Sequence, residues 1–294
     1  MFSKFANLVA AMEPQGKLLQ AAPLTGGASA QTTALTVQDG KGRISKLVAR
    51  CHGQRDLERN PHIARDEFRL LSYLHAAGLP VPRPHFVDQE GIYISRPCLV
   101  CSYIPGRTIT ALDSLALRQM ADTLARIHRL PIDEITFLSR QEEYIAAWLS
   151  RPAGAMGLEA KGRSALQGAW PWAQRNQPVL LHGDYWPGNI LWQDGRLVGI
   201  IDWEDAALGD PLADLASTRL ELLWACGSEA MSLFTTLYLQ ANPIDTANLA
   251  YYELLTALEV APKIGNWGLD EPTHRDMETK LLSFARAAMQ MIAK

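Results

Sequence analysis

Cysteine is scarce in this sequence: there are four, with no disulfide-like framework. That excludes a stapled secreted scaffold and suits a reducing compartment, with a cytoplasmic setting as the default expectation. No run approaches the roughly 18 apolar residues that a spanning helix needs. The segment Met1 to Met12 has a short apolar stretch that Glu13 and Pro14 interrupt; it reads as a short amphipathic helix, not a signal peptide. Neither sign of charge is in excess. The formal net charge is -3, which argues against a nucleic-acid binder. Internal repeats and low-complexity segments are missing. So are a Gly-x-Ser-x-Gly nucleophile elbow, a Walker loop and a Rossmann fingerprint. The seven histidines are scattered, and none has a metal-ligand spacing, which weighs against a metallohydrolase built on His182, Asp184 and Asp202. What remains is an ordinary globular composition, 48% hydrophobic and 20% charged over 294 residues, enough for one large or two medium domains.

The informative stretch runs from 178 to 215. The apolar run Val179–Leu181 ends at His182-Gly183-Asp184. A second apolar segment runs from Asn189 to Trp192, and a third, Leu197 to Ile201, ends at Asp202-Trp203-Glu204. Between the last two lies Asp194-Gly195, a strong hairpin signal. Pairing about that turn sets Asn189 opposite Ile200 and brings Asp202 to the same end, with Asp184 entering from the preceding loop. Two carboxylates and a carboxamide at the polar ends of apolar strands suit a hard cation such as Mg2+.

The spacing is similar to the protein-kinase pattern of Asp, four residues, Asn, and then a strand-borne Asp. Here Gly183 replaces the arginine before the Asp, and Trp203-Glu204 replaces Phe-Gly. His182-Gly-Asp184-(x)4-Asn189, Ile201-Asp-Trp-Glu204 and Gly209-Asp-Pro-Leu-Ala-Asp214 together resemble the signature of the aminoglycoside phosphotransferase and choline kinase superfamily. The resemblance extends from about residue 20 onward. It implies an α+β, bilobal, protein-kinase-like fold: a small β-sheet lobe with one main helix over 1–104, a hinge about 101–107, and a larger helical lobe over 105–294. It also implies ATP, with GTP not excluded, Mg2+, and a small-molecule hydroxyl as the partner, with no nucleic acid and no membrane; the oligomeric state is left open.

In the first part, Lys17–Leu24 and Gln31–Val37 read as strands flanking Thr25-Gly26-Gly27-Ala28-Ser29. The glycines allow positive φ and leave backbone N–H groups open to a phosphate; a plain hairpin turn is the competing reading. By resemblance this loop, Gly26, Gly27 and Ser29 included, covers the ATP phosphates. Ser45–Cys51 reads as a third strand, with Arg50 where kinases place a phosphate-binding lysine. Arginine can serve a phosphate in bidentate fashion; Lys46 competes for the role. Asn60-Pro61 signals a helix start and Gly78-Leu-Pro80 its stop. On that helix Glu67 shares a face with Leu71 and Leu74. A carboxylate on an apolar face needs a partner, and Arg50 is the natural one, with Arg65 as a local alternative. Ile92–Ser95 and Cys98–Ile104 read as an antiparallel pair. Resemblance makes Cys101 to Ile104, with Cys101 and Tyr103, the segment whose backbone binds adenine. Cys98 and Cys101 read as structural thiols.

From Leu117 to Ile127 a 3.6-residue stripe predicts a helix ending near His128. Further helices are expected over 141–150, 160–174, 211–226, 231–239, 248–260 and 272–293. Asp184 is the expected base toward a substrate hydroxyl, with Asn189 and Asp202 as Mg2+ ligands. His182 braces the loop, and Asp210 and Asp214 support it. Glu204 and Asp205 are open between a second metal, a cationic substrate and a solvated or capping role. Trp186, Trp203 and Trp267 are open between pocket and packing. Gly183 leaves no anchor for a phosphorylated activation loop, which favours a small-molecule kinase over a regulated protein kinase. The acidic mouth points to an amine-bearing alcohol, aminoglycoside-like or choline-like. Arg50 in place of lysine points the other way, to an inactive nucleotide-binding pseudokinase module.

Overall fold

Strand alternation and helical periodicity set the first unit. The computed structural model describes residues 2–24, 30–152 and 157–293. The chain begins with α1 (Phe2–Met12), β1 (Lys17–Pro23), β2 (Gln31–Gln38) and β3 (Ile44–Cys51), followed by α2 (Gln54–Arg59), α3 (Ile63–Ala76), β4 (Pro84–Asp88) and β5 (Cys98–Ser102). The strands form one antiparallel sheet in the order β1-β2-β3-β5-β4. Leu47, Ala49 and Cys51 alternate into a core with Leu18, Leu35, Val37 and Val100, which α1 closes with Phe5, Leu8 and Val9. Each Leu, Val or Phe among them contributes about 1.5–3 kcal/mol when buried. The intervening β3 residues, Val48 and Arg50, take the opposite face, because successive side chains alternate. Compact packing joins residues 1–106 and 198–204 into this unit, and 107–197 with 205–294 into a second.

The second unit contains α4 (Ser114–His128), α5 (Gln141–Leu149), α6 (Leu158–Ala169), β6 (Val179–Leu181), β7 (Ile190–Gln193), the start of β8 (Arg196–Ile200), β9 (Ala207–Gly209), α7 (Leu212–Ala241), α8 (Leu249–Val260) and α9 (Glu271–Ile292). Asp113 caps α4 by accepting from the Ala116 N–H, and Asp270 caps α9 by accepting from Thr273. The predicted stripe Leu117, Met120, Ala121, Leu124 and Ile127 is buried, and α4 packs on α7. The mix is α+β, strands early and helices late. Among the described residues no helix is long and apolar enough to cross a membrane.

Several local expectations are corrected. Ile92–Ser95 is not a strand. The Asp88 carboxylate accepts from the Ile92 and Tyr93 N–H groups and bends the chain into turns; β5 pairs with β3 and β4 instead. The long helix starts at Ile63, not Pro61: Asn60 Oδ1 accepts from the His62 N–H and holds a preceding turn. Residues 170–174 leave the helical path, α6 ending at Ala169. The two helices expected over 211–226 and 231–239 are, by contrast, present as the two halves of α7, which meet at a non-helical kink at Gly227 (φ 87°, ψ 176°). Asn189 closes a 3-10 turn, Pro187–Asn189, and the strand begins one residue later. The short pairing of β6 with β9 was not foreseen. Gly26, Gly27 and Ser29 lie outside the described residues.

Candidate active site

Two groups of side chains, one in each unit, gather the residues singled out from the sequence. In the first unit, β3 alternation delivers Arg50 to three carboxylates. Its Nη2 lies 2.5 Å from both Asp202 Oδ1 and Glu204 Oε2, and its Nε 3.5 Å from Glu67 Oε2. The strand–helix pair with Glu67 is therefore present. Burial opposes the Arg50 charge, but Glu67, Asp202 and Glu204 outweigh it and raise its pKa further. Burial opposes ionisation of Glu67 as well, yet Arg50 and the adjacent His52 hold it below the ordinary carboxyl value; His52 Nε2 is 3.2 Å away. Glu204, left open by the sequence, is thus an Arg50 partner. Its backbone carbonyl also accepts from Arg59 Nη2 at 2.9 Å. Asp202 itself has φ 68°, a left-handed conformation that Asp tolerates better than most residues.

His52, Asp56 and Glu204 bring one potential ligand atom each within 4.8 Å of one another. Glu204 is already held by Arg50 and His52 by Glu67. Cys101 is buried in β5, and burial, with Glu67 beside it, pushes its thiol up to about 12; it stays a thiol at neutral pH. The Tyr103 N–H donates to Lys46 O at 3.1 Å, and Lys46 Nζ sits over the Tyr103 ring. Trp203 is buried, its Nε1–H donating to Ile200 O, so it packs and does not line a pocket. Trp267 packs edge-on against Trp224.

In the second unit the loop after β6 is tied down from below by α7. Both oxygens of Asp214 accept backbone N–H groups: Oδ2 from His182 at 2.7 Å and Oδ1 from Gly183 at 2.9 Å. Oδ2 also meets His128 Nε2 at 3.1 Å, and His128 Nδ1 meets the Tyr238 hydroxyl. Burial alone would raise the Asp214 pKa; the hydrogen bond and charge of His128 lower it below the ordinary value. One turn along α7, Thr218 Oγ1 donates to Tyr185 O at 2.7 Å, and the Tyr185 hydroxyl donates to Met120 O. Gly183 has φ 84°, and a Cβ there would meet Asp205 O at 2.2 Å; only glycine fits.

On this platform His182 Nδ1 accepts from the Asp184 N–H at 3.2 Å. Asn189 Nδ2 donates to the Asp184 carbonyl at 2.9 Å and to its carboxylate Oδ2 at 2.8 Å. His182, Asp184 and Asn189 are therefore joined by hydrogen bonds, and the carboxylate is aimed by the carboxamide. Asp210 caps the next helix through the Leu212 N–H and accepts from Asn176. On α7, burial, and after it the charge of Asp184, push the Glu221 carboxyl up to about 8.

A model of the phosphotransferase enzyme family matches residues 20–240. The chain belongs to that family. Acyl-CoA dehydrogenase family member 11 of Homo sapiens is 27% identical over 184 residues, covering 54% of this chain and 23% of that protein; the chain spans under a quarter of that relative's length. A homoserine kinase of Gluconobacter oxydans is 30% identical over 162 residues, 50% of this chain and 51% of that one. Among solved structures, amicoumacin kinase hAmiN in complex with AMP-PNP and Ca2+ superposes with a TM-score of 0.66 at 17% identity, over 92% of this chain and 88% of that one. At that identity the likeness speaks for the fold.

Proposed function

We propose that this phosphotransferase-family chain is an ATP- or GTP-using, Mg2+-dependent kinase acting on the hydroxyl of a small, amine-bearing alcohol. The observation that carries the reading is the Asp184 carboxylate, fixed by Asn189 on a loop whose backbone is anchored to Asp214. Phosphoryl transfer needs positioning and charge neutralisation more than covalent chemistry. Asp184 accepts the hydroxyl proton and orients the oxygen toward the γ-phosphoryl group. His182 and Asn189 hold Asp184 in place.

The residues present fit a hard cation. With its amide N–H groups given to Asp184, Asn189 presents its carbonyl oxygen as the ligand. Asp202 meets Arg50 beside Glu67 and Glu204, and carboxylate oxygens are the ligands that a hard cation takes. Mg2+ held by Asn189 and Asp202 would neutralise phosphate charge when bound. Arg50, steadied by Glu67, contacts phosphate oxygens. The backbone near Cys101 and Tyr103 takes the adenine; with the Tyr103 N–H committed to Lys46, its carbonyl is the acceptor on offer. The relative named homoserine kinase, whose name describes an amine-bearing alcohol, supports the acceptor class.

The test is nucleotide consumption with Mg2+ against a panel of hydroxylated amines, sugars and neutral alcohols. Asp184→Ala is expected to lower kcat by about 10^2–10^4, the usual contribution of a positioned base, while Mg-ATP still raises the melting temperature. Asp202→Ala should weaken Mg-ATP binding too. Near-wild-type turnover in the Asp184 variant would remove the base assignment.

A further inference from the structure

Three segments of the first unit converge at His52. This residue follows the end of β3, Asp56 lies on α2, and Glu204 is the last residue of the stretch 198–204 that joins the unit. One nitrogen of His52 and one carboxylate oxygen of each acid lie within 4.8 Å of one another. All three are enclosed: His52 is fully buried, Asp56 is 6% exposed and the Glu204 side chain 11%. Each has a fixed partner of its own. His52 Nε2 lies 3.2 Å from Glu67 Oε2. Asp56 Oδ2 accepts from the Gly53 N–H at 3.2 Å, and Glu204 Oε2 meets Arg50 Nη2 at 2.5 Å. His52 Nδ1, in contrast, is buried with no hydrogen-bond partner among the described residues. Such an atom is costly to leave unbound. Because Glu67 is an acceptor, the neutral imidazole keeps its proton on Nε2 and offers the Nδ1 lone pair.

A ring lone pair and two ionised carboxylates are all acceptors, so none of the three can donate to another. We propose that His52 Nδ1, Asp56 and Glu204 bind a Zn2+ ion that ties the end of β3 and α2 to the stretch 198–204. One nitrogen with two carboxylate oxygens is a Zn2+ donor set, whereas Mg2+ and Ca2+ favour oxygen alone. Ligand bonds of about 2.0–2.2 Å put neighbouring corners of a tetrahedron about 3.4 Å apart. Atoms already within 4.8 Å of one another therefore need only a small closure around the ion. The fixed partners become outer supports of the kind that orient metal ligands: Glu67 sets the His52 ring, the Gly53 N–H holds Asp56, and Arg50 holds Glu204. Three protein ligands leave a fourth position for water. The site uses neither Asn189 nor Asp202 and needs no nucleotide, so it stands independently of the phosphotransfer reading.

The experiment uses the full chain, stripped with a chelator and free of nucleotide. Calorimetry and thermal melting read the binding of Zn2+ and Mg2+. Co2+, a coloured stand-in for Zn2+, reports four-coordinate binding by strong visible absorption. Wild type is set against Asp56→Asn and Glu204→Gln, which keep side-chain shape, and against Asn189→Ala. Wild type is expected to take one Zn2+ per chain and to melt at a higher temperature with it, while Mg2+ at the same concentration gives no such rise. Asp56→Asn and Glu204→Gln should each raise the Kd for Zn2+ by at least about 10- to 100-fold, the loss that follows removal of even an outer partner. Both should also weaken the Co2+ absorption. Asn189→Ala should bind Zn2+ as wild type does, which separates this site from the proposed Mg2+ pair. The Co2+ spectrum of wild type tests the site without requiring any variant to fold. Zn2+ bound equally by wild type, Asp56→Asn and Glu204→Gln would overturn the proposal and mark surface binding only. Failure of Zn2+ to bind wild type, or Mg2+ binding as tightly as Zn2+, would overturn it too, and either result leaves the kinase reading to its own Asp184→Ala test.

Discussion

Asp214 shows how one side chain can order an entire loop. Two backbone N–H groups and His128 converge on its carboxylate, so Asp214→Asn leaves one oxygen replaced by an amide group that faces donors. The cost is expected to be about 3 kcal/mol, typical of breaking a buried charged pair, read as a fall in the urea midpoint. Its pKa lies below the ordinary 3.8 in the folded chain. A lowered carboxyl stabilises the fold above its unfolded value and loses that contribution as the pH falls through the lower folded one. Wild type should therefore lose stability below about pH 4, and Asp214→Asn should show a shallower acid limb. An identical acid limb in both would remove the assignment. At this scale much was legible: Glu67 was found because a carboxylate on an apolar stripe demands a partner. The Arg50–Glu204 contact depends on chain 154 residues away in sequence, and no local pattern names such a partner.

The elements divide by how local their causes are. Asp194-Gly195 made the β7–β8 hairpin legible because both residues take positive φ (50° and 72°), which a tight two-residue turn requires. Ile92–Ser95 misled because its apolar character suggested a strand, while the deciding group, Asp88, lies outside it. The Gly227 break in α7 was read as two helices, and the continuous run hides the same discontinuity. Gly227 has φ 87° and ψ 176°, and a Cβ there would meet nothing within 4 Å. Gly227→Ala should therefore cost only backbone strain, about 1–3 kcal/mol, seen as a lower melting temperature. A variant as stable as wild type would show that the two halves of α7 can straighten or shift at no expense.

The early-strand, late-helix order made the α+β class legible across the whole chain, because each class of element announces itself by its own period. The return of residues 198–204 to the first unit was not legible; linear order assigns them to the second half. In the first unit the Ile200 N–H donates to Pro80 O, and Asp202 and Glu204 hold Arg50. A fragment of residues 1–106 should accordingly melt without a cooperative transition, and appending 198–204 through a flexible linker should restore one. Cooperative melting of 1–106 alone would refute this.

The threading of 198–204 also limits how such a protein can be rearranged. A genetic exchange with its breakpoint at Gly106 would pass on Arg50 but leave its two short-range acidic partners behind. A cassette inherited with residues 107–197 would bring Asp184 and Asn189 without Asp202. The first unit therefore cannot be transplanted as a single contiguous module. Any chimaera that keeps it must carry two separated stretches together.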